Sequence, residues 1–513
     1  MSARNLDRQI RDGDLIAAAD IGSNSFHLVV ARYAHGELRV VDRLRETIRL
    51  AAGLRKDGTL ARDRREAAFS CLARFGQRLE GFQSHHVRAV ATNTVRQLSN
   101  PQTFLLPAET ALGHPIEVVS GREEARLIYQ GVAHGLPMND DTRLVIDIGG
   151  SSTEFIIGQR YEALERESLQ VGCIASSLRF FEDGKITAQR WQRSQAEIGV
   201  ELQQFVANYR QRGWTEAVGS SGTMKAIGSI AHANGWCEQG ISLEAVGKLR
   251  EYLLRVGRID ALDIAGLSRE RVGVITGGVA ILDAIFSTFQ LRQLTVCETA
   301  MREGLLYDML GRAQHTDSRN TSIDALAERY GIDAAQALRV ARTANALFVQ
   351  VADAWQLDNH AEAILRWCAE IHEIGLAIAH SQHHLHAAYI VANSDLAGFG
   401  RQEQAQLACI VRCHRRKPEQ ASLRALPERM RGTTRHLIAL LRLAVLLNRS
   451  RRDGPLPPLR VLAQGTDLTL EIAAAWLEHH SLARVDLEQE RSFLKAIDIN
   501  LQIVKRSDCK AVA

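Results

Sequence analysis

Residues 145–157 read Val-Ile-Asp-Ile-Gly-Gly-Ser-Ser-Thr-Glu-Phe-Ile-Ile, and residues 18–30 read Ala-Ala-Asp-Ile-Gly-Ser-Asn-Ser-Phe-His-Leu-Val-Val. In both stretches an apolar run ends in an aspartate, a turn of glycine and small polar residues follows, and a second apolar run completes the pattern. The pattern predicts two β-hairpins, and its recurrence indicates an internal duplication. The alternative is a pair of ordinary turns, because Asp-x-Gly is common in turns.

Turns of this composition can bind an anion and a cation together. Glycine leaves backbone N–H groups free to point at an anion, and the Ser and Asn side chains add donors. Asp20 and Asp147 can hold a divalent cation directly or through water. The candidate phosphate-binding residues of the two turns are Gly22, Ser23, Asn24, Ser25, Gly149, Gly150, Ser151 and Ser152. If the turns face one another, they form a site for phosphoryl chemistry.

The composition is that of an ordinary globular protein. The chain has 513 residues, of which 46% are hydrophobic and 24% charged, and its length predicts roughly three or four domains. The polar N-terminus predicts no secretory signal, and no uninterrupted apolar run reaches the length of a membrane span. The eight cysteines are scattered, which favours a reducing cytoplasm.

Positive charge is concentrated in one stretch. Residues 401–455 contain 13 Lys and Arg against 4 Asp and Glu, a local balance of +9. Such a stretch suits a polyanion, namely polyphosphate, nucleic acid or anionic lipid. A solvated basic face is the alternative.

The order of the predicted elements indicates two similar α/β halves followed by a helical region. After the first hairpin we expect further strands over 36–50, a helix over 61–80, strands at 87–91 and 116–119, and a helix from 122 to about 131. This order fits a ribonuclease-H-like half-domain, and the second motif begins another. Long helical patterns follow from residue 318, at 360–379, 403–413 and 436–448. The predicted domains are two ribonuclease-H-like half-domains (1–138 and 139–314) with a cleft between them, a helical domain (318–454) and a small C-terminal α+β domain (455–513).

Three segments carry a resemblance to a known family. They are Asp20-Ile-Gly-Ser-Asn-Ser-Phe-His27, Ser120-Gly-Arg-Glu-Glu-Ala-Arg126 and Asp147-Ile-Gly-Gly-Ser-Ser-Thr153. They resemble the signatures of the exopolyphosphatase and guanosine pentaphosphate phosphohydrolase family, which belongs to the actin-like superfamily of sugar kinases and heat-shock chaperones. The similarity covers nearly the whole chain. The family usually has three glycines after its second aspartate, whereas this chain has Ser151 as the third residue.

The Glu-Glu pair in the second segment holds the candidate catalytic base. Ser120 and Glu123 have the spacing of a helix capping box, which gives Glu123 a structural role. Glu124 has no capping role and can accept a proton from a water that attacks a terminal phosphorus. The family's catalytic glutamate falls in this pair. We therefore assign the base to Glu124, with Glu123 as the reserve and a surface glutamate near a helix N-terminus as the structural alternative.

The resemblance and the residue chemistry suggest further site residues. Asp20 and Asp147 are the candidate ligands of Mg²⁺, and Asp147 is also counted as catalytic because the ion neutralises the transferring phosphoryl group. Arg96 resembles the family's phosphate-contacting arginine. Gly222 and Thr223 lie in a glycine turn between a strand and a helix, where backbone amides can bind an anion. For Arg96 and this turn, a surface arginine and a purely structural turn are the alternatives.

Two segments depart from the family. Cys297-Glu298-Thr299 replaces an Asp-Gly pair, which leaves the role of Glu298 open. The helical region resembles the HD phosphohydrolase fold, but the acid positions hold Glu373 and Asn448, so we expect a degenerate, structural HD-like domain without a working metal centre. Its basic residues are the predicted polyphosphate path, namely Arg412, His414, Arg415, Arg416 and Lys417. We expect Cys409 and Cys413 to pack in the core rather than bind metal.

The sequence therefore predicts a Mg²⁺-dependent cytoplasmic exopolyphosphatase. Hydrolysis of guanosine pentaphosphate, a reaction of the stringent response, is the alternative with the same machinery. A small-molecule kinase of the same superfamily and a non-catalytic polyphosphate sensor are more distant alternatives. The resemblance implies a homodimer, and no specific nucleic acid is expected as a partner. Peripheral contact with the inner face of the cell membrane, through the basic stretch, stays open.

Overall fold

The computed structural model describes residues 10–137, 140–313, 317–451 and 456–506. It divides into two compact units, Met1–Asp317 and Ser318–Ala513. The predicted domain boundaries at 138/139, at 314 and at 454/455 lie outside the described residues, as does most of the polar N-terminal stretch.

The first half-domain (residues 10–137) contains a five-stranded sheet with helices. Its elements are β1 (Leu15–Ile21), β2 (Ser25–Ala34), β3 (Glu37–Thr47), α1 (Arg62–Arg78), β4 (Val87–Ala91), α2 (Asn93–Arg96), α3 (Gln102–Leu112), β5 (Ile116–Val118) and α4 (Gly121–Gly135). The strand order is β3-β2-β1-β4-β5. Strands β1 to β3 pair antiparallel, whereas β4 pairs parallel with β1 and with β5. The predicted hairpin is therefore the centre of this sheet.

The second half-domain (residues 140–313) repeats this topology. Its elements are β6 (Thr142–Ile148), β7 (Thr153–Gln159), β8 (Glu162–Leu169), α5 (Cys173–Phe180), α6 (Ala188–Gln203), α7 (Val206–Arg212), β9 (Glu216–Ser220), α8 (Ser221–Ala233), β10 (Ile241–Ser242), α9 (Leu243–Val256), α10 (Val272–Phe289), β11 (Gln293–Val296) and α11 (Met301–Ala313). The order β8-β7-β6-β9-β11, with β10 at the edge, matches that of the first sheet. The predicted duplication is confirmed.

Two helices lie between the sheets. Side chains of α4 and α11 form one hydrophobic cluster with residues of both sheets, such as Ile16 of β1 and Val145 of β6. The helices cross so closely that a Cβ atom on Gly131 would lie 1.9 Å from the Ala300 carbonyl oxygen, and one on Gly304 would lie 1.8 Å from that of Leu127. Glycine at both crossing positions therefore lets the half-domains share one core. The predicted α/β fold class is confirmed.

One helix has the length and hydropathy of a membrane span. It runs over Arg269–Phe289, counting the 3₁₀ turn Arg269–Arg271 that precedes α10, and 72% of its most apolar 18-residue window is buried inside the protein. The residues of α10 belong to the hydrophobic core of the second half-domain. Burial in that core explains its apolar composition.

The second unit is helical with a small sheet. Its elements are α12 (Ser318–Arg329), α13 (Ala334–Val351), α14 (Asn359–Ile371), α15 (His383–Asn393), α16 (Arg401–Cys413), α17 (Gln420–Arg424), α18 (Glu428–Leu447), β12 (Arg460–Gln464), β13 (Asp467–Ala473), α19 (Ala474–His479), α20 (Ser481–Lys495) and β14 (Asn500–Arg506). The strands form a sheet in the order β12-β13-β14. Its apolar residues, for example Leu468 and Leu470, join the same hydrophobic cluster as the helices.

One predicted helix is shorter than expected. The pattern over 360–379 predicts a single helix, but α14 ends at Ile371 and a separate 3₁₀ turn covers Ile374–Ala377. A Cβ atom on Gly375 would lie 1.9 Å from the His383 carbonyl oxygen, so this turn packs directly against the start of α15. Tertiary packing has overridden the helical pattern here.

Candidate functional site

The two motif turns face one another. In the first, a Cβ atom on Gly22 would lie 2.8 Å from the Ser25 carbonyl oxygen, so the tight turn between β1 and β2 favours glycine. In the second, a Cβ atom on Gly150 would lie 3.4 Å from Cβ of Asn24 and 3.5 Å from Cβ of Ser23. The turns of the two half-domains therefore lie so close that one added methyl group would bring them into van der Waals contact.

A cleft of about 310 Å³ lies at this meeting point. Most of the predicted site residues line it, namely Asp20, Gly22, Ser23, Asn24, Ser25, Glu124, Asp147, Gly149, Gly150, Ser152, Gly222 and Thr223. Of the residues predicted within the two half-domains, three do not line it, namely Arg96, Glu123 and Ser151. The residues that line it and were not predicted are His27, Arg45, Thr92, Ile128, Ile148, Glu154, Cys173, Ser221, Lys225, Arg271, Ala300, Met301 and Arg302.

Strand register explains the first row of cleft side chains. Asp20 on β1 pairs with His27 on β2, and His27 pairs with Arg45 on β3. Residues directly opposite one another in neighbouring strands point to the same face of a sheet. These three residues, the Asp20 row, therefore all face the cleft.

The second half-domain has an equivalent row. Asp147 on β6 pairs with Glu154 on β7, and Glu154 pairs with Ser168 on β8. The Ser168 hydroxyl donates to Oε1 of Glu154 over 2.8 Å. These residues form the Asp147 row. It has a carboxyl group where the Asp20 row has an imidazole, and a hydroxyl where that row has a guanidinium.

Three carboxyl groups of the cleft, those of Asp20, Asp147 and Glu154, hold protons more tightly than usual. Burial, together with the charges of Glu124 and Asp147, raises the pKa of Asp20 to about 8, although Arg302 opposes the shift. Burial and the charge of Glu124 raise the pKa of Asp147 to about 7, against a hydrogen bond from Ser220. The pKa of Glu154 is also raised well above its usual value, first by burial and then by Glu124. The cleft therefore favours either protons or a cation beside these groups.

Cations surround His27 in the same cleft. Burial lowers the pKa of His27 to about 3, and the nearby charges of Arg302, Arg45, Arg271 and Lys225 lower it further. His27 is therefore neutral, and its Nδ1 atom lies 3.0 Å from a guanidinium nitrogen of Arg302. A polyanion in the cleft would meet this positive field.

Glu124 lies in the first turn of α4 at the cleft wall. Its residue is 8% exposed, and its carboxylate accepts a hydrogen bond of 2.8 Å from Arg96. Arg96 also donates to the Val119 carbonyl oxygen over 2.8 Å, which fixes the guanidinium. Arg96 therefore contacts the candidate base rather than the cleft itself.

Glu123 belongs to a buried ion network instead. The predicted helix cap is present, since the Glu123 backbone N–H donates to the Ser120 hydroxyl over 3.2 Å. The Glu123 carboxylate accepts two bonds from Arg126, of 2.7 and 2.8 Å. Arg126 also binds Asp308 on α11 over 2.5 Å. Glu123 thus fastens α4 to α11 and lies outside the cleft.

The third glycine turn brings another cation to the cleft. A Cβ atom on Gly222 would lie 1.9 Å from a guanidinium nitrogen of Arg271, so only glycine leaves room for this side chain. Ser221 has a φ of 100°, a strained conformation for a residue other than glycine, and its hydroxyl accepts from the backbone N–H of Thr223 and Met224. Strained residues often mark functional turns.

Glu298, in the segment that departs from the family pattern, contacts a cation of the cleft. Lys225 of α8 donates to the Glu298 carbonyl oxygen over 2.7 Å, and its ammonium group also lies 2.8 Å from the Glu298 carboxylate. Lys225 lines the cleft. The loop before α11 therefore positions a cleft cation.

The comparison with known families agrees with this geometry. The sequence model of the Ppx/GppA phosphatase family matches residues 29–313, and that of Ppx/GppA phosphatase domain III matches residues 318–491. The first match alone covers more than half of the chain. The chain belongs to the Ppx/GppA phosphatase family. It is therefore a hydrolase of the phosphatase type, and the predicted resemblance is confirmed.

Two solved structures, of an exopolyphosphatase and of an exopolyphosphatase-like protein, share the fold. An exopolyphosphatase from Cytophaga hutchinsonii is 24% identical, with a TM-score of 0.53 over 58% of this chain and 98% of that one. An exopolyphosphatase-like protein is 23% identical, with a TM-score of 0.52 over 58% of this chain and 99% of the other. A Ppx/GppA enzyme from Aquifex aeolicus is 24% identical, with a TM-score of 0.49 over 57% and 98%.

The cleft of this Ppx/GppA phosphatase fits a hard divalent cation. Oδ1 of Asp20 is buried and has no hydrogen-bond partner among the described residues. Across residues 10–137, 140–313, 317–451 and 456–506, no three His, Cys, Asp or Glu side chains are arranged to hold a metal ion by themselves. Mg²⁺ needs only one or two carboxylates, because waters and phosphate oxygens complete its shell. The donor set therefore fits Mg²⁺ with Asp20 and Asp147.

A sequence signal existed for some of the unpredicted residues. His27 and Glu154 each lie seven residues after the motif aspartate, at the position that a tight hairpin places directly opposite it. Counting the hairpin register would have found them. Lys225 lies three residues after Gly222, so the predicted glycine turn was itself a signal for this cation. Arg271 and Arg302 are distant in sequence from the motifs, and no local pattern marks them.

The predicted path residues lie at the end of α16 in the domain III unit. His414 is 4% exposed, and burial lowers its pKa, as it does for His372, which lies 5.3 Å away between ring centroids. Arg412 pairs with Glu419 over 3.0 Å, and Arg415 lies 3.1 Å from Nδ1 of His383. Arg416 and Lys417 are exposed. A polyphosphate path over these residues stays a prediction.

Proposed function

We propose that this Ppx/GppA phosphatase is a Mg²⁺-dependent exopolyphosphatase that releases orthophosphate from the end of inorganic polyphosphate. The proposal rests on the observation that one cleft contains both a group of carboxyl side chains and a group of cationic side chains. Carboxyl groups gather around Asp20 and Asp147, and four cations gather around His27. The first group suits a metal ion and a reacting phosphoryl group, whereas the second suits the rest of a polyanion.

The two motif turns, Glu124 and the two motif aspartates have separate chemical roles in this proposal. The backbone N–H groups and hydroxyls of the two facing turns would hold the terminal phosphate. Glu124, oriented by Arg96, would accept a proton from the attacking water while the new P–O bond forms. Asp20 and Asp147 would hold Mg²⁺, which when bound would neutralise charge on the transferring phosphoryl group.

The cations would bind the part of the chain that leaves. Arg45, Lys225, Arg271 and Arg302 line the cleft. Guanidinium groups bind phosphate oxygens with two parallel hydrogen bonds, and the ammonium group adds a point charge. Negative charge that develops on the leaving phosphate oxygen when the bridging P–O bond breaks would be stabilised there.

The lining of the cleft favours polyphosphate over guanosine pentaphosphate. Its described side chains include Ile128, Ile148 and Met301, but no Phe, Tyr or Trp on which a guanine base would stack. A chain of phosphates needs charge and hydrogen-bond donors only. Guanosine pentaphosphate is therefore the second substrate to test.

The test is to incubate the purified full chain with long-chain polyphosphate and Mg²⁺ and to measure released orthophosphate. We expect release with Mg²⁺, none with a chelator, and slower release from guanosine pentaphosphate. Glu124→Gln is the matched inactive variant. Release from guanosine pentaphosphate alone would replace the proposed substrate. Binding of polyphosphate without release under any metal condition would indicate a sensor. Transfer of a phosphoryl group from ATP to an acceptor hydroxyl, without release of orthophosphate, would indicate a kinase.

A further inference from the structure

Two cations of the cleft are paired with solvent-exposed glutamates. Arg45 lies 3.7 Å from Glu270, whose side chain is 67% exposed, and Lys225 lies 2.8 Å from Glu298, whose side chain is 84% exposed. Arg302 also lines the cleft and forms an ion pair, but its partner Glu303 is buried, with a side chain only 8% exposed. Two of the cations that face the cleft therefore form ion pairs with exposed carboxylates.

An exposed pair of this kind is easily replaced. Surface ion pairs contribute little, because water screens the attraction and two mobile side chains must be ordered. A phosphate carries more negative charge and accepts charge-assisted hydrogen bonds from several donors at once. A polyanion that enters the cleft should therefore displace each carboxylate from its cation.

The two pairs also join different parts of the cleft. Arg45 belongs to β3 in the first half-domain, and Glu270 belongs to the 3₁₀ turn before α10 in the second. The next residue, Arg271, lies against Gly222. The Lys225–Glu298 pair lies wholly within the second half-domain, between α8 and the loop that precedes α11. Displacing both carboxylates requires negative charge at two separate places.

We infer that Glu270 and Glu298 are displaceable counter-ions that weaken the binding of anions with several linked phosphates, and that they thereby set how strongly the cleft prefers such anions to orthophosphate. A long chain must replace both of them, whereas a single orthophosphate replaces at most one, so the glutamates weaken binding of a long chain more than binding of the product. This inference rests on the proposed hydrolysis of polyphosphate and names two specificity-determining residues that do not take part in the chemical step.

The test compares Glu270→Gln, Glu298→Gln and the double variant with the wild-type chain. Each substitution removes one competing charge and keeps the side-chain shape. Lys225 stays in place in Glu298→Gln, because the Glu298 backbone carbonyl still binds it. We expect the KM for long-chain polyphosphate to fall about two- to fivefold in each single variant, with kcat changing less than KM. Inhibition by orthophosphate should strengthen by no larger a factor, and by a smaller one in the double variant; both effects should shrink at high salt.

The matched control is Glu244→Gln. Glu244 is also exposed, on α9 of the same half-domain, and it pairs with Lys248 over 2.7 Å away from the cleft lining. An equal fall in KM in this control would overturn the inference, as would an unchanged or higher KM in the cleft variants. The Glu270→Gln effect should be smaller in an Arg45→Gln background, and an undiminished effect would also contradict the pairing.

Failure of this inference and failure of the proposed function give different results. If the wild-type chain releases no orthophosphate from polyphosphate, the proposed function is wrong. If it does so but the variants keep the wild-type KM and orthophosphate inhibition, only the counter-ion role is wrong.

Discussion

The two half-domains have the same sheet topology but different side chains at equivalent places. The Asp20 row continues into His27 and Arg45, whereas the Asp147 row continues into Glu154 and Ser168. The motif aspartate is thus common to both rows, and its neighbours have opposite electrostatic character. The shared backbone determines where side chains meet, and the divergence of the neighbours produces a cleft that suits both a cation and a polyanion.

Glu124 is the residue that connects the rows electrostatically, because its charge raises the pKa of Asp20 and of Asp147. Glu124→Gln should lower kcat by about 10²- to 10⁴-fold, the usual contribution of a general base. Polyphosphate binding should remain, because the phosphate-binding turns and the cations are intact. Steady-state kinetics together with direct binding would separate the two effects.

The neighbouring Glu123→Gln is the control for this first prediction. It should keep most of kcat but lower the melting temperature, because Arg126 and Asp308 lose a buried partner at a cost of about 3–5 kcal/mol. If Glu123→Gln is folded but loses most of kcat while Glu124→Gln stays active, the catalytic base is Glu123 and not Glu124.

Replacing the shared aspartates should have the next largest effect. Asp20→Asn and Asp147→Asn should each lower Mg²⁺-dependent turnover by about a hundredfold or more, since metal-ion catalysis contributes several kcal/mol. Both should also weaken the thermal stabilisation that Mg²⁺ gives the wild-type chain. The exposed Asp260→Asn, which loses only a surface pair with Arg258, should leave both quantities unchanged.

The raised carboxyl pKa values predict how stability depends on pH without metal. Asp20 shifts from 3.8 to about 8 on folding, so between these values the folded chain binds more protons than the unfolded chain. Its contribution to stability is therefore complete below about pH 4 and is lost as the pH rises through about 8. Relative to wild type, chelator-treated Asp20→Asn should gain melting temperature as the pH rises from 5 to 9. A constant difference would show that Asp20 titrates normally.

How much of this site could be predicted depended on sequence distance. The hairpins followed from local patterns, because strand period and turn composition are local properties. The duplication followed from the recurrence of one such pattern, and the expectation that Asp20 meets Asp147 came from the duplication. Arg271 could not be predicted, because its place in the cleft depends on a packing contact with Gly222, 49 residues away in the chain. Glu123 shows a third case, in which the cap was predictable but the ion network with α11 was not.

In the fold too, elements set by local sequence were predictable, whereas a boundary set by a contact between separate elements was not. Strand β4 covers the predicted residues 87–91, because the short, mostly apolar run Val-Arg-Ala-Val-Ala is a local signal typical of a strand. The helix predicted over 360–379 ended early at Ile371 because Gly375 packs against the backbone of α15. A contact between separate elements decided that boundary.

A smaller effect should follow from the third glycine turn, which has no counterpart in the first half-domain's motif. Gly222→Ala should push the Arg271 guanidinium out of its place, because its far end is the only part that must move. The KM for polyphosphate should rise about fivefold to tenfold, which corresponds to about 1 to 1.4 kcal/mol, with little loss of kcat. Gly247→Ala, where a Cβ atom meets nothing within 4 Å, is the matched control.

The smallest effect is expected from substitution of Ser151, because this residue does not line the cleft although its equivalent in the first motif turn does. Asn24, the equivalent residue of the first turn, lines the cleft, whereas Ser151 does not. Ser151→Gly restores the glycine usual in the family, but it frees the unfolded backbone and so should lower stability by about 0.5–1 kcal/mol. Turnover should stay within about twofold of wild type, because no cleft contact is lost. A much larger change in KM would mean that the Ser151 hydroxyl binds phosphate after all, and that the two turns contribute equally.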